Sequence, residues 1–188
     1  MSLTATLLTV AAAAPSARAE THADTDPRGD VVRTVPGEGR SPTRAANGDI
    51  VRHRITYGEE RLVAVIRFAK LTKKARILWV GVPVRYRNGA DFEYADVELV
   101  IRRNGPRQPQ AAFQVVGDPL KCHVDSRVAY DRDLIRFTVP AGCMGSPRWV
   151  SAYTAAYRTD DLHEPSYFLS DSSPNRPRGG VGPRIEQG

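Results

Sequence analysis

Lysine is nearly missing from this chain. It occurs only at Lys70, Lys73, Lys74 and Lys121, so almost all of the 27 basic residues are arginine. That skew, together with abundant alanine and glycine, is what a GC-rich genome produces. The formal net charge of +6 therefore does not by itself point to phosphate contacts. The arginines are scattered, whereas a nucleic-acid footprint clusters on one face, and no nucleic-acid partner is expected. The one local cluster, Lys70 to Arg76, lies between two apolar runs, as a polar loop does. Beyond residue 19 no apolar run reaches the ~20 residues a membrane-spanning helix needs, so no span is expected there. No window after the first residues repeats every 3.6 positions, which argues against helices. There is no Gly-x-Ser-x-Gly nucleophile elbow. The four histidines, His22, His53, His123 and His163, have no zinc-ligand spacing.

Cysteine is scarce, with only Cys122 and Cys143. What precedes them gives the pair its meaning. Leu3 to Ala14 is almost wholly apolar and small, and it leads into Ala17-Arg18-Ala19 before Glu20. An apolar stretch with small residues at −3 and −1 has the form of a secretory signal peptide, although Met1-Ser2-Leu3-Thr4 lacks the usual basic start. The sequence thus predicts a leader over 1–19, a mature chain beginning near Glu20, and a secreted or cell-envelope location. Two cysteines in an exported chain read as one disulfide, whose loop closure is worth about 3 kcal/mol.

The remaining residues divide by pattern. Residues 20–47, rich in Asp, Arg, Pro, Gly and Thr, read as a loose N-terminal arm with at most an edge strand near Val31-Val32. Residues 48–169 alternate or run apolar in short stretches. Ile50 to Tyr57 and Arg61 to Phe68 flank Gly58-Glu59-Glu60 as a hairpin. Ile77 to Val84 is apolar on both faces, as a central strand is. Tyr86 to Asp91, with Asn88-Gly89, reads as a hairpin turn. Strands are predicted at 97–102, 112–116, 123–130, 134–139 and 149–157, with turn chemistry at Asp131-Arg132-Asp133 and Pro140-Ala141-Gly142. Seven to nine short antiparallel strands define an all-β sandwich, jelly-roll or immunoglobulin-like. Residues 170–188 read as a disordered tail whose loss leaves the core intact. Arg28-Gly29-Asp30-Val31-Val32-Arg33 echoes Asn47-Gly48-Asp49-Ile50-Val51-Arg52; both read as turn-to-strand entries. The adhesion-like Arg28-Gly29-Asp30 tripeptide is expected to be a chance match.

Candidate chemistry is thin. Asp24, Asp26, Gly29 and Asp30 partly match a calcium loop, but Arg28 and Val35 stand where oxygen ligands belong and helical flanks are missing. A structural calcium held by Asp24, Asp26 or Asp30 with backbone carbonyls is the metal alternative left open; no other cofactor is expected. Asp96 and Glu98, the densest acids with Asp91 and Glu93, read as the solvated face of a strand. Trp149, Tyr153 and Tyr157 share one strand face with Ser151 and Ala155 between them. Small residues on the opposite face suggest that this aromatic row fills the core, with Trp149 buried and no general polysaccharide binding. Exposed, the same row would stack on sugar rings.

The leader, Asn47-Gly48-Asp49-Ile50, Leu62-Val63-Ala64-Val65-Ile66-Arg67-Phe68 and Asp133-Leu134-Ile135-Arg136-Phe137-Thr138-Val139-Pro140 with Cys143 resemble a group of small exported β-sandwich proteins of actinobacteria that have no assigned activity. The resemblance implies fold and compartment and carries no catalytic residues. The expectation is an exported, non-enzymatic binding or cell-envelope module, its partner an envelope component or glycan. The alternatives are a carbohydrate-binding module, a secreted hydrolase of unrecognised type, or an inhibitor presenting a loop near Cys143.

Overall fold

A computed structural model describes residues 19–115, 122–161, 163, 165–173 and 182–188. The leader segment 1–18, Val116 and the tail residues 174–181 lie outside the described residues. Fourteen strands run in chain order: β1 (Glu20–Thr25), β2 (Val32–Val35), β3 (Gly39–Pro42), β4 (Ile50–Tyr57), β5 (Arg61–Phe68), β6 (Ile77–Asn88), β7 (Asp91–Arg102), β8 (Ala111–Val115), β9 (Asp125–Ala129), β10 (Leu134–Pro140), β11 (Trp149–Ala152), β12 (Thr154–Thr159), β13 (Phe168–Ser173) and β14 (Arg184–Glu186). A short 3-10 helix, Ala141–Met144, follows β10.

The strands form two antiparallel sheets. One has the order β1-β4-β5-β10-β9; the other, nine-stranded, runs β14-β11-β6-β12-β13-β2-β3, with β7 on the free side of β6 and β8 beyond it. In β4 and β5 alternate residues are buried, as a period-two pattern dictates. Ile55, Leu62, Ile66 and Phe137 of the first sheet meet Leu78, Val80, Val97 and Val150 of the second in one core. Tyr57 is fully buried there, and its hydroxyl donates to the Pro147 carbonyl at 2.7 Å.

Strand β6 organises the larger sheet. It pairs with β7 along its whole length, closing at Asn88↔Asp91 around Gly89-Ala90, with Gly89 at φ 62°. On its other edge lie β11 and β12, end to end in one unbroken register from Val150↔Tyr86 to Thr159↔Ile77. The interruption falls at Tyr153, opposite Pro83. Proline has no N–H to donate to a ladder, so only the Tyr153 N–H to Pro83 carbonyl bond forms there, at 3.3 Å.

The disulfide joins Cys122 to Cys143 with Cα atoms 5.8 Å apart. It ties the approach to β9 to the 3-10 helix beyond β10. Most predicted strands recur within a few residues of their expected limits, but β7 begins at Asp91 instead of 97, so that the turn expected over 86–91 narrows to Gly89-Ala90, and the strand expected over 149–157 is divided between β11 and β12.

The arm and the tail differ from the sequence reading. Residues 20–25 pair with β4 from Glu20↔Tyr57 to Thr25↔Arg52. β2 and β3 form a hairpin that extends the larger sheet beyond β13. Part of the supposed disordered tail lies in strands as well. β13 is paired on both edges, and β14 places a fully buried Ile185 against the core. The physical reason is common to all five. β1, β3 and β14 are edges and β2 and β13 lie next to the β3 edge, where strands are held largely by backbone hydrogen bonds and need few apolar side chains, so their composition resembles that of loops.

Candidate ligand-binding face

The sheets' pairing decides which side of the nine-stranded sheet each aromatic residue takes. Leu78, Val80, Val82, Val84 and Tyr86 of β6 belong to the core, so Trp79, Gly81, Pro83, Arg85 and Arg87 point outward. The register then carries the outward parity across: Tyr157 stands opposite Trp79, Tyr94 opposite Arg85, and Phe92 opposite Arg87. On β11 the core residues are Val150 and Ala152.

This reverses the expectation for Trp149. It is half-buried on the outward face, with its ring centroid 6.0 Å from that of Phe92 and the Arg184 guanidinium 4.7 Å above it. Small residues fill the core side of β11 and β12 because the opposing sheet supplies the bulk, in Tyr57, Leu62 and Phe137. The sequence pattern contained the correct period but not the side. Trp149, Tyr153 and Tyr157 are joined on this face by Trp79, Phe92, Tyr94 and Phe168, none of which the sequence reading singled out. Half of the chain's aromatic residues, including both tryptophans, therefore share one sheet face. Phe92 is 54% exposed, Tyr94 50%, Tyr157 41% and Phe168 37%, unusual values for residues of this size.

The face has relief. Gly81, Ala155 and Ser172 stand in one cross-strand row and make a low floor. The Trp79 indole lies across that floor, and a methyl added at Gly81 would overlap its six-membered ring. Tyr157 leans on the indole at 5.0 Å, tilted by 51°. A concavity of about 410 Å³ opens beside them, lined by Trp79, Arg85, Tyr94, Asp96, Ser151, Tyr153 and Tyr157. Depressions of about 400 Å³ at Trp79, Tyr157 and Phe168 and about 580 Å³ at Phe92, Trp149 and Arg184 adjoin it at either end. From Trp149 to Tyr157 the strand rises about 26 Å. The face is thus an elongated strip.

Polar groups punctuate it. Asp96 has its carboxyl pushed above the usual range by burial and then by Glu98. Burial likewise raises the Tyr153 hydroxyl, assisted by Tyr157 and Asp96. Arg85 sits with its guanidinium 5.1 Å from the Phe92 ring, and its Nε is buried without a partner. The strip therefore offers flat apolar rings with hydrogen-bonding groups between them.

The metal candidates separate. Asp24 accepts its neighbour Thr25 N–H at 2.8 Å and does not join a cluster. Asp26 and Asp30 do, but with Asp171 of β13, which no local motif could announce. Asp49 stands beside them, accepting the Gly29 N–H at 2.9 Å. The two echoed phrases explain the geometry. Each has glycine at positive φ, Gly29 at 77° and Gly48 at 95°, then an aspartate, then a buried aliphatic, Val31 or Ile50. Both are turn-to-strand entries, and both deliver a carboxylate to the same place. The Arg28-Gly29-Asp30 tripeptide belongs to this turn. Asp26 is pushed up to about 8 by burial, then by Asp171, Asp30, Asp24 and Asp49. Asp171 is pushed up to about 6, chiefly by burial, against the hydrogen bond that it accepts from Ile50 N–H at 2.6 Å.

A further concavity, about 770 Å³, lies elsewhere, among Lys70, Lys73, Lys74, Arg103, Arg107 and Tyr130. Its cations are mostly engaged. Lys70 pairs with Asp133 at 3.5 Å, Lys73 donates to the Gly105 carbonyl, and Arg103 grips the Lys74 carbonyl twice. This is the polar loop that the sequence indicates, braced by its own charges.

The chain matches no family model, no curated protein and no solved structure. Fold and face define its class: an antiparallel β-sandwich, disulfide-linked, with an aromatic strip on one outer sheet surface. No helix among the described residues is long and apolar enough to cross a membrane.

Proposed function

We propose that this protein is an exported, non-enzymatic carbohydrate-binding module of the cell envelope, and that the outer face of its nine-stranded sheet takes an extended glycan chain. The observation that carries the reading is the gathering of both tryptophans with Tyr94, Tyr153 and Tyr157 on one exposed face. Exposed apolar surface of this kind marks a binding site, and sugar rings present flat apolar faces with hydroxyl edges that aromatic rings with polar neighbours complement. The strip's length suits an oligomer over a single sugar. Asp96 and Arg85 supply an acceptor and donors along it. The disulfide and the leader-like start support export.

Hydrolysis is the less favoured reading. It calls for two carboxyl groups flanking a scissile bond. Asp96 is the single acid lining the central concavity among the described residues. Glu98 stands two residues along the same strand, beside Asp96 instead of across from it. The test is retention on insoluble polysaccharides, compared between the native chain and Trp79→Ala or Tyr157→Ala.

A further inference from the structure

We propose that Asp26, Asp30 and Asp171, with Asp49 beside them, bind one calcium ion that clamps the two sheets together along one edge of the sandwich. One oxygen from each of Asp26, Asp30 and Asp171 lies within 4.8 Å of the others. Two oxygens bound to the same calcium at about 2.3–2.6 Å are separated by at most about 5 Å, so all three fit around one ion. Asp26 is only 7% exposed, yet its Oδ2 is buried without a hydrogen-bond partner. Asp49 is 2% exposed; one oxygen holds the Gly29 N–H and the other, Oδ1, is buried and unpartnered. None of the ion pairs among the described residues involves Asp26, Asp49 or Asp171. Arg28 lies near Asp49 alone of the three; buried carboxylates gathered in this way are costly, and a hard divalent ion with oxygen ligands is the chemistry that satisfies them.

The connectivity gives the ion a purpose. Asp26 follows β1 and Asp49 opens β4, both in the smaller sheet. Asp30 leads into β2 and Asp171 lies in β13, both in the larger. The ion would thus bridge the sheets where the β2–β3 hairpin extends the larger sheet beyond β13. This inference is independent of glycan binding.

The test is calorimetric titration of the chelator-stripped full chain with calcium chloride, and thermal melting in calcium and in EDTA. The expected result is one calcium per chain with a dissociation constant of about 10⁻⁵ to 10⁻³ M, a higher melting midpoint in calcium, and weaker binding of magnesium. Asp26→Asn should lose the calcium-induced shift. Asp171→Asn, which keeps an acceptor for Ile50 N–H, should lose the shift too. Asp24→Asn should keep it. No heat and no midpoint change with calcium in the native chain would overturn the proposal. So would retention of the full shift by Asp26→Asn and Asp171→Asn, while equal affinity for magnesium would overturn the assignment to calcium.

Discussion

Trp79 and Tyr157 face each other across β6 and β12 with their ring centroids 5.0 Å apart, and the Trp79 indole packs over Gly81 because nothing but hydrogen occupies that position. A half-buried tryptophan packed over Gly81 is a preorganised stacking surface, since little side-chain freedom remains to be lost on binding. Gly81→Ala tests this relationship. The added methyl must displace the indole, so binding to the retained polysaccharide should fall several-fold while the core beneath is untouched. A shift of tryptophan emission toward longer wavelength should accompany it. An unchanged spectrum with unchanged binding would show that the indole's seat over Gly81 is unimportant.

The C-terminal strands are integral to the fold. Ile185 is fully buried, and Asp171 and Ser173 reach across to Ile50 N–H and to His53. Ile185→Ala should cost about 2–5 kcal/mol, and truncation after Ser170 should cost more, because it removes β14 and the half of β13 that carries Asp171 and Ser173. Chemical denaturation measures both; a truncated chain as stable as the whole would contradict the paired arrangement.

Removing the disulfide by Cys122→Ser with Cys143→Ser should lower stability by about 3 kcal/mol through loop closure alone, with 21 residues separating the two positions. For a domain of this size the midpoint should drop by roughly 10 °C. A loss below about 1 kcal/mol would mean that the unfolded chain is already constrained near this loop.

Acidic pH should weaken the fold through His53. Its side chain is buried, hydrogen-bonded to Ser173 Oγ at 3.0 Å, and faces His22 and Asp24 of β1. Burial, then His22, lowers it from 6.5 to about 4, against a smaller opposing pull from Asp24. The unfolded chain therefore binds this proton first, so the contribution is complete above about pH 6.5 and is lost as pH falls toward 4. His53→Gln should flatten the stability profile in that window when compared in the same buffer. A profile unchanged by the substitution would assign the slope to other groups.

Legibility followed the burial pattern. β4, β5 and β10 alternate between apolar and polar or less buried positions, and their limits were readable almost to the residue. β1, β3 and β14 are short, polar and held by ladder bonds, so their composition is that of loops. Trp149, Tyr153 and Tyr157 were recognisable as one face, but period two cannot say which face is inside; that depends on what the opposing sheet supplies. Asp26 and Asp30 were visible as metal-ligand types, whereas Asp171 arrives from far along the chain through strand pairing, and Asp24 turns to its own neighbour.

The central claim is tested most directly by one retention measurement on insoluble cellulose, chitin, xylan and purified peptidoglycan. The native chain is compared with Trp79→Ala, Tyr157→Ala and Trp149→Ala, and the melting midpoint of each is recorded. The account predicts that the native chain is held on at least one of these polymers. It predicts that Trp79→Ala and Tyr157→Ala abolish retention, and that Trp149→Ala weakens retention while melting within a few degrees of the native chain, as an outward-facing residue should. Failure of the native chain to bind any of the four, or full retention by both Trp79→Ala and Tyr157→Ala, would contradict it.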